Sequence, residues 1–593
     1  MTVVFLHPPG IYDFRKRPVF MGAISEAVPS TPVFEMYPMG FAQMAHYLEK
    51  NGIRARIVNL ALKMLNDEKF DPDIFIKKLD SEAFCIDLHW IAHLHGALEC
   101  AKICKKHHPE IPVIFGGFTS TYYSDEILQK FPCVDYVLRG DSCDLPLLKL
   151  IENLNSSKKN NQNNPGNLEK IPNLSFREGT KIRSNPISNV DDSIDFVIDP
   201  KFMLKLILRD RDLDANLPYK SWLDDPTMPI LTSKGCIYNC VCCGGSKDCY
   251  ESIYNRKKPA LMQADKVIEQ MMLNEQYINN PVFFLNDIRM GGKKYYREIF
   301  KKIKQERIDL PVVFELFSPL DREFAGDLKA SFSHYNLEMS PEDASESVRL
   351  FAGKTYTNDD VERSIKNAIN YGCDKIDLFF MIGLGGQSRD NVYQTLKYID
   401  SIAGKFKNYN KNYNGNSDKS DGDNKNKIYP FISPYAPTID PGSIAFESPE
   451  KYGYVVFNKT LESQYEAFKK LSWKEFFNYR TQYLSAGDIV ELTYDSALKL
   501  ADIKKKYHII SDEDAQIFKR RVEVSRTVMS RVEEISNMKD EKQDEALIML
   551  RQQINESMKP LICKNTELNW PRSRKSLNFY MLKILGKILR VMP

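Results

Sequence analysis

Residues 231–250 read LTSKGCIYNCVCCGGSKDCY and hold five of the chain's twelve cysteines. Cys236, Cys240 and Cys243 have the spacing C-x3-C-x2-C, directly after a short apolar run that reads as a strand. Three thiolates on one tight loop can bind three irons of a cubane cluster and leave the fourth iron open to a small molecule. An electron-transfer ferredoxin site would need a fourth cysteine, and here Cys242 and Cys249 complicate the count. Cys240 and Cys243 can also be drawn as half of a zinc site, but no second C-x2-C or nearby histidine pair completes it. The setting of the loop within a strand-helix series favours the three-ligand cluster.

That series fills residues 229–404. MPILTSKG precedes the cysteines, and PVFFLND, PVVFELF, YNLEMSP and KIDLFFMIGLGG follow as strands. The helical patterns MQADKVIEQMMLNEQ, KKYYREIFKKIKQE, TNDDVERSIKNAINYG and SRDNVYQTLKYIDSIAG lie between or after them. Repeated strand-helix units predict a full or partial barrel with its chemistry at the carboxyl ends of the strands.

Residues 1–150 alternate in the same way, through TVVFLHPP, RARIVNLA, AFCIDLHW, PVIFGG and VDYVLRG. This pattern predicts an α/β fold with a doubly wound parallel sheet, whose ligand lies beyond the carboxyl ends of the strands. Those ends carry Pro8-Pro9-Gly10, His89-Trp90, Gly116-Gly117 and Arg139-Gly140-Asp141. No G-x-G-x-x-G follows the first strand, so the usual nicotinamide or flavin fingerprint is missing. Residues 155–167 and 405–427 are rich in Asn, Lys, Ser and Gly with almost no aliphatics, and are expected to be exposed insertions. They divide the chain into a first domain, a linker over 151–228, the barrel over 229–404, and a mostly helical region over 428–593.

At 593 residues, with 43% hydrophobic and 27% charged residues, the chain has the composition of a multi-domain globular protein. A formal charge of +3 gives no reason to expect a nucleic-acid partner. No apolar run approaches the roughly 20 residues of a membrane span. The opening MTVVFLHPPG lacks a charged leader and a cleavage site and reads as a strand. Clustered cysteines of this kind fit a reducing cytoplasm.

The middle block resembles the radical S-adenosylmethionine (SAM) enzymes, whose cluster motif is C-x3-C-x-aromatic-C. The chain departs from it at Cys242, where the aromatic usually packs near the adenine. Gly244 and Gly245 follow the third cysteine, as in relatives that read C-G-G. LEMSPED places Glu338, Ser340 and Glu342 at a strand end where such enzymes contact the SAM ribose and amino group. FFMIGLGGQS, with Gly383 as its first glycine, resembles the stretch M-I-G-L-P-G-Q-T that lines the adenine, with Gly385 in place of the proline. Arg349 and Lys354 are both candidates to face the SAM carboxylate.

The amino-terminal block resembles the cobalamin-binding domain that precedes the barrel in one branch of these enzymes. The stretches VVFLHPPG, YPMGFAQMAHYLEKNGIRARIVNLA, IPVIFGGFTSTYYSDEILQKFPCVDYVLRGD and IPNLSFREG carry the likeness. It marks Pro9, His89, Gly116, Gly117, Arg139 and Gly140 as cobalamin-side residues. The histidine-ligating signature D-x-H-x-x-G is incomplete: Asp87 and His89 are present, but Ala92 stands where the glycine belongs. A base-off corrin without a histidine ligand is therefore the expectation.

The resemblance implies a 4Fe–4S cluster, SAM and cobalamin as cofactors, and reduced ferredoxin or flavodoxin as electron donor. It implies radical functionalisation of an unactivated carbon, by methyl transfer, ring formation or another outcome. The tail WPRSRKSLNFYMLKILGKILRVMP bears on the substrate. Leu577, Tyr580, Met581, Ile584, Leu585, Ile588 and Leu589 share one helical face, and Arg572, Arg574, Lys575, Lys583, Lys587 and Arg590 make the rest basic. Such a helix can dock on the barrel or lie on an anionic membrane. With the second option, a lipid or isoprenoid substrate follows, as in the archaeal tetraether-lipid ring synthases of the same architecture. The alternatives are methylation of a peptide or soluble metabolite, a radical SAM enzyme whose first domain no longer binds cobalamin, and a cobalamin-binding sensor without catalysis.

Overall fold

The computed structural model describes residues 2–16, 18–23, 30–159, 167–407, 427–434, 437–538, 540–557, 559–568, 577 and 579–584. Most of the second low-complexity segment, the centre of the first, and Leu585, Ile588 and Leu589 of the tail lie outside them.

The first sheet joins β1 (Thr2–His7), β2 (Arg54–Asn59), β3 (Ala83–Asp87), β4 (Val113–Gly116), β5 (Tyr136–Leu138), β6 (Leu174–Glu178) and β7 (Lys181–Ser184). Its order is β2-β1-β3-β4-β5-β6-β7; the first five strands are parallel and the last two antiparallel. Alternate residues of β1 enter different cores. Val4 and Leu6 join one apolar cluster, while Val3 and Phe5 join another with Phe41, Ala45 and Leu48 of the helix Met39–Lys50. A sheet covered on both faces explains why its strands read as unbroken apolar runs. Chain order reverses between β1 and β3, so the loops after these strands flank the crevice where such sheets take ligands.

The sheet extends past the boundary expected at residue 150. The helix Asp144–Lys159 runs into the first low-complexity segment, and β6 and β7 pair onto β5. Residues 151–159 and 167–184 therefore belong to this domain rather than to a linker.

Beyond a short strand β8 (Ser193–Ile194) come β9 (Met228–Leu231), β10 (Ser233–Lys234), β11 (Ala260–Met262), β12 (Val282–Leu285), β13 (Val312–Leu316), β14 (Tyr335–Glu342), β15 (Lys375–Ile382) and β16 (Ile428–Pro434). Strands β9, β12, β13, β14, β15 and β16 form one six-stranded parallel sheet in chain order. The edge strands β9 and β16 are not paired with each other, so this is a partial barrel. Its sixth strand lies on the far side of the second insertion. The expected barrel boundary at residue 404 moves accordingly to 434.

The helices Ala486–Lys506, Asp512–Ser536 and Asp540–Ser557 make up most of the remainder, as expected. Residues after them close the amino end of the barrel. Lys504 Nζ meets Glu567 Oε2 at 2.6 Å with both side chains buried, and Lys375 at the start of β15 donates to the Glu567 carbonyl (2.5 Å). The carboxyl end is left to face the first domain.

Candidate active site

The cysteine loop leaves β10 and ends in the helix Lys247–Tyr254, which Ser246 caps by accepting the Cys249 N–H. Two of the motif thiols accept backbone donors: Tyr238 N–H to Cys236 Sγ (3.4 Å) and Gly245 N–H to Cys243 Sγ (3.2 Å). Such bonds favour the thiolate and tune the electronics of a thiolate-bound iron cluster. The loop is clasped from outside, since Val241 N–H donates to the Ala352 carbonyl (3.0 Å) and a Cβ on Gly353 would stand 2.5 Å from the Asn239 carbonyl oxygen.

The extra cysteines are turned away. The buried Cys242 thiol donates to Tyr454 Oη (2.9 Å), and the Cys249 thiol donates to the Gly442 carbonyl (2.9 Å). Both extra thiols are thus engaged as donors to protein oxygens, whereas Cys236 and Cys243 act as acceptors. Among the described residues, no three His, Cys, Asp or Glu side chains, the motif cysteines included, are arranged to hold a single metal ion.

Glu342 and Lys354 are two of the charged groups next to the loop. They pair at 2.8 Å, and Lys354 also donates to the Ser340 carbonyl (2.8 Å). Burial pushes the Cys240 thiol up to about 11, with Lys354 drawing it down and Glu342 pushing it up. Glu342 sits at φ +67°, where the β14–β15 register shifts, a strained conformation of the kind that accumulates at functional sites. Arg349, the other candidate for the SAM carboxylate, is fully buried and spends its guanidinium on the carbonyls of Pro341, Asp343 and Tyr356 and on Asn358 Oδ1. The geometry therefore favours Lys354.

Glu338 lies four residues earlier on β14, roughly 13 Å deeper at strand rise. It is level with Glu315 of β13 and Asp377 of β15. Burial, then these two carboxylates, raises its pKa far above the usual range. Glu315 is held up to about 7, chiefly by burial. Below an unfolded-state value of 4.5 this group is protonated in both states. As pH rises from there to about 7, the folded protein keeps a proton that the unfolded chain has released, and folding loses stability. Glu315→Gln is expected to remove that slope. In denaturant titrations, the gain in stability of the variant over wild type should grow from about pH 5 to about pH 8.

The glycine loop after β15 is fixed by its own glutamine. Gly383 and Leu384 N–H donate to Gln387 Oε1 (2.8 and 3.3 Å), and Gln387 Nε2 donates to Asp343 Oδ2 (2.6 Å). Gly383 has φ +96°, and a Cβ there would meet Tyr479 Oη at 2.7 Å.

The first domain reaches the cysteine loop directly. A Cβ on Gly244 would lie 2.7 Å from the Phe118 ring and 3.0 Å from Asp440 Cβ, and Gly244 N–H donates to Asp440 Oδ2 (2.9 Å). Phe118 follows Gly116-Gly117, so this contact joins the end of β4 to the cysteines. Gly117 has φ +113°, and a Cβ on it would fall 2.6 Å from His89 Cα. Gly244→Val is expected to force the two loops apart. Bound corrin and cluster should both survive, while turnover falls by at least about tenfold because reacting groups lose alignment.

His89 accepts the Phe118 N–H at Nδ1 (3.4 Å) and stands edge-on to Trp90, which is 51% exposed. Asp87 is turned to His7 (2.9 Å) rather than to His89, so the carboxylate of the incomplete signature serves another histidine. Pro9 packs against the next helix, where a Cβ on Gly96 would meet the Pro9 carbonyl oxygen at 1.8 Å. Arg139 donates to the Asn185 carbonyl and Gly140 N–H to Thr121 Oγ1 (3.1 Å), contacts that hold loops of the first domain. Asp141 instead crosses to Arg256, beyond the cysteine helix, in a bidentate pair (2.5 and 2.9 Å) that leaves the guanidinium 3% exposed.

These residues fit the implied groups. Three cysteines lie on one loop beside a cation and a strained acid, and that loop meets Phe118 after β4, which in turn bonds to His89 of the loop after β3. Sequence reasoning missed Phe118, Asp440, Tyr454 and the Asp141–Arg256 pair, whose partners are 69 or more residues away and leave no local pattern.

Residues 230–399 match the Radical SAM superfamily, and residues 27–145 match the B12 binding domain. The chain is therefore a protein that joins a B12 binding domain to a radical SAM domain, with a 4Fe–4S cluster, SAM and cobalamin as cofactors. A Pyrococcus horikoshii protein named "uncharacterized methyltransferase PH0819" is 26% identical over 339 residues, 56% of this chain; the match spans 65% of that relative's length. Among solved structures, the radical S-adenosylmethionine methyltransferase TsrM from Kitasatospora setae, with cobalamin and a [4Fe-4S] cluster bound, aligns at TM-score 0.54 and 14% identity, covering 86% of this chain and 89% of that one. The cobalamin-dependent S-adenosylmethionine radical enzyme OxsB, with aqua-cobalamin and S-adenosylmethionine bound, aligns at TM-score 0.54 and 11% identity over 99% and 80%. At these identities the two structures speak for the fold alone. The likeness to archaeal ring synthases finds no counterpart among these matches.

Proposed function

We propose that this chain is a cobalamin-dependent radical SAM enzyme that methylates an unactivated carbon of a membrane lipid or isoprenoid chain. The observation that carries the chemistry is the contact of Phe118 and Gly244, which sets the loop after β4, next to His89 at the crevice of the B12 domain, against the cysteine loop. When bound there, the cluster and SAM supply a carbon-centred radical source, and cobalamin supplies a transferable methyl group. The chain's own part is to bind and orient. Cys236, Cys240 and Cys243 hold the cluster, Lys354 faces the SAM carboxylate with Glu342 beside it, and the loops at Pro9, His89 and Gly117 frame the corrin. Methyl transfer is favoured over ring formation by the name of the Pyrococcus relative.

The tail supports the lipid reading. Phe579 is buried against Trp222 in an apolar cluster with Leu217 and Met228, and Leu582 packs beside it. Leu577, Tyr580, Met581 and Ile584 are 52–76% exposed on the outside of this docked segment. Among the described residues no helix is long and apolar enough to cross a membrane. Contact of the tail with a bilayer would be that of a helix lying in the interface.

The test is anaerobic incubation of the reconstituted protein with hydroxocobalamin, SAM, a chemical reductant and membrane lipid extract, followed by mass spectrometry. Lipids that gain one CH2, together with 5′-deoxyadenosine and S-adenosylhomocysteine, are the expected result. Loss of two hydrogens would mean ring formation instead. Turnover of SAM that ignores lipid would move the substrate to the peptide or soluble-metabolite class. An intact cluster with no SAM turnover would favour a sensor.

A further inference from the structure

The radical SAM motif is broken twice in this chain, at Cys242 and at Gly385, 143 residues apart. In the fold both positions meet one side chain. The Cys242 thiol donates to Tyr454 Oη (2.9 Å), and Gly385 N–H donates to the same oxygen (2.6 Å). Tyr454 comes from a short strand, Tyr454–Val456, beyond the barrel, and is 2% exposed.

Neither residue expected from the motif fits around this tyrosine. Proline at 385 has no N–H to donate. A Cβ there would stand 2.0 Å from the Tyr452 carbonyl oxygen and 2.6 Å from the Tyr454 ring. An aromatic at 242 would have to enter a buried site already filled by Tyr454 and by Tyr479, whose rings are 5.7 Å apart. Close packing leaves no slack for that added volume. The three positions therefore form one interlocked set.

We propose that Tyr454 is a positioning residue for SAM. Its hydroxyl clamps the cysteine loop, one residue before Cys243, to the glycine loop after β15, and so fixes the width of the gap between them. The inference rests on the reading of these two loops as the walls of the SAM site. It makes the region after the barrel part of that site, and it predicts that residues 242, 385 and 454 change together.

The test is a titration of the reduced, cluster-loaded protein with SAM, followed by the electron paramagnetic resonance signal of the cluster, with iron content and melting temperature measured alongside. Tyr454→Phe keeps the ring and removes the clamp. It is expected to weaken SAM binding about tenfold, the size of one or two lost hydrogen bonds, with iron content unchanged. Cys242→Ser keeps a donor to the tyrosine and is expected to bind SAM as wild type does. If Tyr454→Phe binds SAM like wild type, or if its SAM affinity and iron content fall in parallel, the clamp is not a positioning device. A wild-type spectrum that does not respond to SAM would instead overturn the radical SAM reading on which the proposal stands.

Discussion

Replacing Cys236, Cys240 or Cys243 by alanine, one at a time, is expected to abolish cluster assembly and to cut SAM cleavage by at least about a thousandfold, or roughly 4 kcal/mol of barrier lowering. Cys249→Ala and Cys242→Ser should keep their iron. The contrast follows from where the thiols point. Cys236 and Cys243 accept backbone N–H groups on the loop, and Cys240 lies beside Lys354. Cys249 donates its S–H to the Gly442 carbonyl and Cys242 donates its S–H to Tyr454 Oη, so both are held as protonated thiols by partners beyond the barrel, and ligation would have to break those bonds. Losing the Cys249 bond costs about 1 kcal/mol of folding stability and nothing in iron. Iron analysis with visible and Mössbauer spectra of the five variants checks this. A Cys249→Ala protein that fails to build the cluster would sink the three-ligand assignment.

Arg256→Ala is expected to lower stability by about 3–5 kcal/mol, because it leaves the Asp141 carboxylate in the domain junction without its partner. Arg256→Lys should recover only part, since one ammonium cannot reproduce two parallel N–H bonds. Substituting both partners, Asp141→Leu with Arg256→Met, should cost less than Arg256→Ala alone. The pair ties the end of β5 to the segment behind the cysteine helix, and Lys234 adds a bond to the Asp141 carbonyl (3.1 Å). Calorimetry should therefore show the single-site variant melting lower, with its transition broadened or split as the domains uncouple. Unchanged melting together with lost corrin affinity would mean that Asp141 serves the cofactor and not the junction.

The elements of this protein were legible because their causes are local. Apolar runs such as VVFL and VVFEL, and the spacing of Ile299, Phe300 and Ile303, announce strands and helices through contacts each segment must make somewhere. The cysteine spacing is local too, and Cys236, Cys240 and Cys243 could be named without a fold. Boundaries were less legible. β6 and β7 pair antiparallel to the end of a parallel sheet, and β16 is cut off from its sheet by an insertion, so chain continuity misleads in both places.

Among acids on one strand, the sequence reading marked Glu338 with Ser340 as SAM-side residues ahead of Glu342, although strand alternation is the same for both acids. The bulge between Met339 and Glu342 and the pairing with Lys354 separate them. Likewise Arg349 and Lys354 carry the same charge, and burial of the guanidinium among carbonyls removes one.

By itself, then, the sequence determined two α/β units, the cysteine spacing C-x3-C-x2-C and a likeness to radical SAM and B12-binding domains, since these are written in short-range periodicity and spacing. Only the tertiary structure decided which acid and which base stand at the loop, how Phe118 and Asp141 bind one domain to the other, and why Cys242 and Gly385 depart from the motif together. Each of those facts is a contact between segments far apart in the chain, and close packing selects such contacts by shape and hydrogen bonding after the elements have formed.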